Sequence, residues 1–283
     1  MRRVATMIVA VLGLAATAAT AEPPAAAFFG AAAAPSSGPA AAIGGHARGC
    51  LAGAVELHAD GPGFQAMRPG RDRRFAHPAL VAFVERLAAR LRAEGHPGLL
   101  VGDLAQPRGG PMASGHRSHQ SGLDADIWYL PAPPRRLRTA ERETLSAVPL
   151  VRPGTLELEA ARFRDFDTAR VLRTTASDPA VARIFVHPVV KRALCRRADG
   201  ERDWLGKLRP WWGHDHHFHV RLACPEGDHA CVDQAPPPAG DGCDDTLAWW
   251  FTEEPWAPSD AAPPAPLALA DLPARCRALV AAD

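Results

Sequence analysis

The sequence predicts an α+β domain in which a small antiparallel sheet, flanked by helices, carries a chemical site. Three observations predict it. One strongly helical apolar stripe is followed by short strand-like runs, not by a regular alternation of strand and helix. Two histidine-rich stretches, residues 115–126 and 213–222, hold six of the twelve histidines, and each adjoins a run that alternates polar and apolar residues. Six cysteines and a Pro-rich C-terminal segment point to a tail pinned by disulfides.

The elements follow in order. Met1-Arg2-Arg3, an apolar run from Val4 to Ala16 and the Ala19-Thr20-Ala21 pattern have the layout of a signal peptide over residues 1–21. The run is too short to span a bilayer, so no stable membrane insertion is expected. Residues 22–45, rich in Ala, Pro and Gly, read as a flexible lead-in. Residues 46–231 read as the folded domain, and residues 232–283 as a tail that wraps it.

Pro78 to Glu94 is the clearest helix. Leu80, Phe83, Val84, Leu87 and Leu91 recur at helical spacing, Pro78 sits near the start and Gly95 ends it. This stripe is core packing. Leu99 to Gly102 reads as a short buried strand, and Pro107 to Pro111 as a Gly/Pro loop. Residues 131–153 are Pro- and Arg-rich and read as a surface excursion. Asp167 to Ala176 reads as a helix with Asp167 as a candidate N-cap. Arg183 to Val186 reads as a strand, and Pro188 to Leu194 as a short helix leading to Cys195. Asp203 to Arg209 is amphipathic and delivers Trp211 and Trp212 to the second histidine stretch, where they either wall a substrate site or shape the core.

Composition excludes some functions. With 47% hydrophobic residues the chain can bury a core, and a net charge of +1 supplies no basic field for nucleic acid. The cysteines are Cys50, Cys195, Cys224, Cys231, Cys243 and Cys276, with no Cys-x-x-Cys. In a secreted chain they are expected to pair, in any of fifteen connectivities.

The site is read from the two histidine stretches. His217-Phe218-His219-Val220-Arg221-Leu222 alternates with the period of a half-buried strand. His217 and His219 therefore leave one face, while Phe218, Val220 and Leu222 enter the core. In the first stretch a turn precedes a strand that carries Asp124, Asp126 and Trp128 on one face. Gly122 can take a positive φ, and a bend there could bring His119 back over Asp126. Imidazole and carboxylate are ordinary zinc ligands, and a hydrolytic zinc takes three protein ligands and leaves one position for water. His119, Asp126 and His219 are read as those three. His217, on the metal face, is the first candidate for acid–base work, and His214 is the second. Asp124 is a candidate to orient a ligand from behind.

The spacing His-x6-Asp followed by His-x-His resembles the zinc peptidases that group lysostaphin-type enzymes, D-alanyl-D-alanine carboxypeptidases and penicillin-insensitive murein endopeptidases. It is most similar to the last group. Supporting stretches are Met67-Arg68, Phe75 to Pro78, Gly115 to Asp126, Arg183 to Val186, Asp203 to Leu205, Arg209 to Trp211, His217 to Pro225 and Gly240 to Cys243, so that the similarity runs from about Cys50 to Cys276. It implies a periplasmic zinc enzyme that cuts peptide cross-links of peptidoglycan, with D-alanyl–meso-diaminopimelate bonds as the target. It also implies the pairs Cys50–Cys276, Cys195–Cys243 and Cys224–Cys231, and adds His116 as a further candidate ligand. Some members add metal contacts from an Asp-x-x-His pair in mid-chain. Here residues 148–158 read VPLVRPGTLEL, and no histidine lies between His119 and His187, so one metal site is expected.

Metal-activated water needs no nucleophilic serine. The chain has no Ser-x-x-Lys, so penicillin is not expected to acylate it. Two rivals stand beside this reading. A D-alanyl-D-alanine carboxypeptidase would resemble relatives that carry a Glu-x-x-Trp-His motif, which is absent here. A non-catalytic zinc-containing cell-wall binding module would keep the ligands without turnover.

Overall fold

Two short strands that no sequence period reveals decide the shape of the sheet. The computed structural model describes residues 22–281, so the signal-peptide reading of residues 1–21 lies outside the described residues. The main sheet has seven strands. Across it stand Leu208–Pro210, Val181–Val186, His217–Leu222, Asp124–Trp128, Leu99–Val101, Phe64–Ala66 and Asp60–Gly61. The middle four run antiparallel to one another. Leu208–Pro210 and Phe64–Ala66 join them in parallel, so the sheet is larger than expected and mixed, not small and antiparallel. Each of those two strands is three residues long, too short for alternation to be legible.

The strand period sorts side chains into two faces. Ala125, Ile127, Ile184, Val186, Phe218 and Val220 enter one core with the helices on that side. Helix Pro78–Ala93 supplies Leu80, Phe83, Val84, Leu87 and Leu91, and helix Thr168–Ala176 supplies Val171 and Leu172. Full burial of such a side chain is worth about 1.5–3 kcal/mol. The long helix starts where Pro78 fixes φ, and His77 Nδ1 accepts the Ala79 N–H at 3.1 Å as its cap. Asp167 precedes its helix as expected but does not cap it; its carboxylate pairs with Arg170 instead.

Residues 22–45 are not a flexible lead-in. Helix Ala25–Ala31 is followed by strand Ala41–Gly45, which pairs with strand Arg48–Ala52. Ala25 and Phe29 are completely buried with Ile43, Cys50, Leu272 and Cys276. The Phe29 ring lies over Gly110, where a Cβ would come within 2.2 Å of it. An Ala- and Pro-rich composition reads as a linker, yet buried Ala25, Phe29 and Ile43 and the pairing of Ala41–Gly45 dock it.

The three disulfides pair Cys50 with Cys276, Cys195 with Cys243 and Cys224 with Cys231. The first two hold residues 232–281 on the domain through Cys276 and Cys243, aided by buried Leu247 and Trp250. The excursion at 131–153 contains helix Thr139–Thr144, whose buried Arg142 pairs with Asp60 at the sheet edge. Among the described residues no helix is long and apolar enough to cross a membrane.

Candidate metal centre and active site

The second face of the sheet is chemical. Strand register places His219 opposite Asp126, Arg221 opposite Asp124 and His217 opposite Trp128. Because cross-strand partners share a face, His217, His219 and Arg221 stand beside Asp124, Asp126 and Trp128. His119 comes from the turn before its strand. That turn closes because Gly122 has φ 73°, and a Cβ there would lie 2.4 Å from Leu51. His119 itself has φ 67°, a conformation that costs energy in a non-glycine residue and gathers at functional sites. Its N–H donates to Asp124 Oδ2 at 2.9 Å, which holds the strained residue in place.

The structure brings His119, Asp126 and His219 together. His119 Nε2 is 3.4 Å and His219 Nδ1 is 3.2 Å from Asp126 Oδ1. His116 Nδ1 adds a contact of 3.6 Å to Asp126 Oδ2, so His116, His119 and Asp126 also form a group able to hold a metal ion. Asp126 Oδ1 and both nitrogens of His119 are buried without a hydrogen-bond partner. Two zinc ligands at 2.0–2.1 Å in tetrahedral geometry stand about 3.3 Å apart. The separations from Asp126 Oδ1 match that figure. The donor set therefore fits a zinc ion, which would satisfy lone pairs the protein leaves unpaired.

Outer contacts orient these groups. His219 Nε2 faces Asp124 Oδ1 at 3.2 Å, which turns Nδ1 toward Asp126. Asp124 is completely buried and is held by Arg221 through Nε to Oδ1 at 2.7 Å and Nη2 to Oδ2 at 3.1 Å. On the other side Asp103 Oδ2 meets His116 Nε2 at 3.0 Å and also binds Arg71 and Arg73. Burial opposes the charges of Asp124 and Asp126. The cationic and imidazole neighbours outweigh it and hold both carboxyls well below the usual carboxylate range. Burial likewise lowers His219, but Asp124 and Asp126 outweigh it and push the ring up to about 9.

His217 and His214 stand beside these groups. His217 Nε2 is 3.6 Å from Asp126 Oδ1, and its ring centroid lies 4.9 Å from that of His214. Burial pushes His217 down to about 4 and His214, with help from His217 and His219, to about 3. Both are thus neutral near pH 7 and able to accept a proton. His214 has φ 56°, the second strained histidine of the site.

The groups open onto two recesses. Arg68, Trp128, Ala147, Asp215 and His217 line one, and Phe185, Trp211, Trp212, His214 and His219 line the other; His116 borders both. Trp211 and Trp212 are 49% and 43% exposed, so they wall the site and do not shape the core. Two contributors were not legible beforehand: Asp103, which anchors His116, and His46, which faces the site from the N-terminal hairpin. Their loops carry no motif. Arg68, part of a stretch that carried the resemblance, places its guanidinium 5.6 Å from the Trp128 ring centroid.

Fold and site define a class: a mixed-sheet protein whose polar face presents a His/Asp group that could hold a metal ion, with further histidines beside it. The chain belongs to the penicillin-insensitive murein endopeptidase family, whose pattern it matches over residues 42–281. It is 44% identical to the penicillin-insensitive murein endopeptidase of Haemophilus influenzae over 220 residues, 76% of this chain and 74% of the relative. It is 40% identical to that of Klebsiella pneumoniae over 250 residues, 86% and 87% of the two chains. It is 41% identical to that of Yersinia enterocolitica over 246 residues, 84% and 85%.

Proposed function

We propose that this chain is a zinc-dependent endopeptidase that hydrolyses peptide cross-links of peptidoglycan in the periplasm, with D-alanyl–meso-diaminopimelate bonds as the target. The observation that carries this reading is the ligand set at the junction of two recesses. A cross-link continues on both sides of its scissile bond, so its hydrolase must accept chain in both directions. The relatives from Haemophilus influenzae and Klebsiella pneumoniae are named penicillin-insensitive murein endopeptidases.

His119, Asp126 and His219 would hold the zinc, with His116 alongside. When bound, zinc polarises a carbonyl and lowers the pKa of water to about 7. The chain's own residues do the rest. Neutral His217 accepts the proton of the attacking water at Nε2 and returns it to the leaving amine. His214, whose Nδ1–H donates to the Trp212 carbonyl at 2.8 Å, keeps Nε2 free as a second proton acceptor at the turn. Asp124 keeps His219 in its liganding orientation, and Asp103 does so for His116. No step uses a serine nucleophile, which is why penicillin leaves the chain untouched.

The test is digestion of purified sacculi and of cross-linked dimeric muropeptides, with products weighed by mass spectrometry. Conversion of dimers to monomers, unaffected by penicillin, supports the reading. Loss of only a terminal D-alanine would instead assign a carboxypeptidase. Zinc binding without any product would assign a binding module.

A further inference from the structure

Arg183 and Arg209 take no part in the ligand set or in proton transfer, yet the sheet presents them to the same site. Across one row Arg209 opposes Phe185, Phe185 opposes His219 and His219 opposes Asp126. Across the next, Arg183 opposes Arg221 and Arg221 opposes Asp124. Strands lie about 4.8 Å apart, so the Arg209 backbone is only about 10 Å from that of His219, within reach of a long side chain. Both arginines line the recess that also holds Trp211, His214 and His219.

The charges in this recess do not balance. Arg221 is neutralised by its two bonds to Asp124. Arg183 is only 8% exposed and has no acidic partner among the described residues. One Nη donates to the Ala235 carbonyl, and its Nε is buried with no hydrogen-bond partner. Arg209 makes no side-chain ion pair or hydrogen bond among the described residues. A buried cation without a counter-charge is costly, so the recess lacks an anion. The opposite recess has no such deficit. Its Arg71 is paired with Asp103, and Asp126 and Asp215 add negative charge.

We propose that Arg183 and Arg209 form a carboxylate subsite for the amine side of the scissile bond. This rests on the cross-link reading above. A cross-link made on the second amine of a diamino acid leaves the carboxyl on that same carbon free. The substrate then carries a negative charge one carbon from the scissile nitrogen, beside the metal. The guanidiniums receive that carboxylate, and Trp211 and Trp212 wall the remainder of the residue. An amide at the same position keeps the shape and removes the charge.

The test is calorimetric binding, to the full zinc-loaded protein, of a disaccharide tripeptide ending in diaminopimelate. One form has a free carboxyl beside its second amine, and the other has an amide there. Charge-assisted bonds of this kind predict that the free acid binds about ten- to a hundred-fold more tightly. Arg209→Gln, at a half-buried position, should erase most of that ratio while leaving amide binding unchanged, and Arg209→Lys should restore part of it. Arg183→Gln is the second variant, read only after circular dichroism shows a native fold. Equal affinity of the unsubstituted protein for the two forms overturns the subsite, whatever the cleavage result. A carboxylate preference that Arg209→Gln abolishes upholds it. If the same preparation cleaves no dimer, the cross-link reading fails on its own.

Discussion

His119 Nε2 and Asp126 Oδ1 lie 3.4 Å apart, both buried, and neither makes a hydrogen bond. Leaving a buried polar atom unpaired costs about 1–3 kcal/mol, so two such atoms aimed at one another need a common partner. A cation between them removes both penalties, and His219 Nδ1 completes the set at 3.2 Å from the same oxygen. Zinc should therefore stabilise the fold. Removing it with a chelator is predicted to lower the thermal midpoint, and adding stoichiometric zinc to restore it. An identical melting curve with and without metal would contradict this.

His217→Ala is predicted to keep its metal and fold but to lose about 10²–10⁴ in turnover. The ring Nε2 is 3.6 Å from Asp126 Oδ1, a position that suits proton transfer at a group held there. Metal content and dimer cleavage should be measured on one preparation. Loss of the metal would make His217 a ligand. Retention of both metal and full activity would shift the role to His214.

Asp124→Asn is predicted to be among the most damaging polar substitutions. It leaves Arg221 buried without its counter-charge and weakens the support of the His119 N–H and the His219 ring. Breaking one partner of a buried pair costs about 3–5 kcal/mol. Disturbing a carboxylate behind a metal-binding histidine lowers metal affinity about 10–100-fold. Urea unfolding of the metal-free protein and a zinc competition titration separate the two effects.

The disulfide between Cys50 and Cys276 joins residues 226 positions apart and pins the N-terminal hairpin to the last helix. Replacing both cysteines by Ala is predicted to cost about 2–5 kcal/mol. Thiol titration of the denatured, unreduced protein should find no free thiol, since all six cysteines are paired.

Acid should weaken the fold through His187. Its ring Nδ1 accepts the Val189 N–H at 3.2 Å and caps helix Pro188–Arg197, and burial pushes its pKa down to about 4. The unfolded chain protonates this ring near pH 6.5, the folded chain only near 4. The unfolded state thus holds more protons between those values, and stability falls as pH drops from 6.5 to 4. His187→Asn, which can cap without titrating, should flatten that slope. Denaturant midpoints at pH 7 and pH 4.5 give the comparison.

How much was legible depended on the length of each periodic run. Strand His217–Leu222 matches its reading residue for residue because six alternating positions leave one solution. The long helix differs by a single residue at its end. His119, Asp126 and His219 were readable because two motifs with a strand period and a glycine turn constrain their side chains. Asp103 was not, because its partners His116, Arg71 and Arg73 meet it through loops that carry no period. The parallel strands Phe64–Ala66 and Leu208–Pro210 were too short to show alternation. Helix Ala25–Ala31 was masked by its alanine-rich composition, although buried Ala25 and Phe29 dock it.

The most direct test of the central claim is the zinc content per chain of the unsubstituted and His219→Ala proteins, prepared side by side without chelator. The account predicts one zinc in the first and close to none in the second. No zinc in the first, or full occupancy in the second, would contradict it.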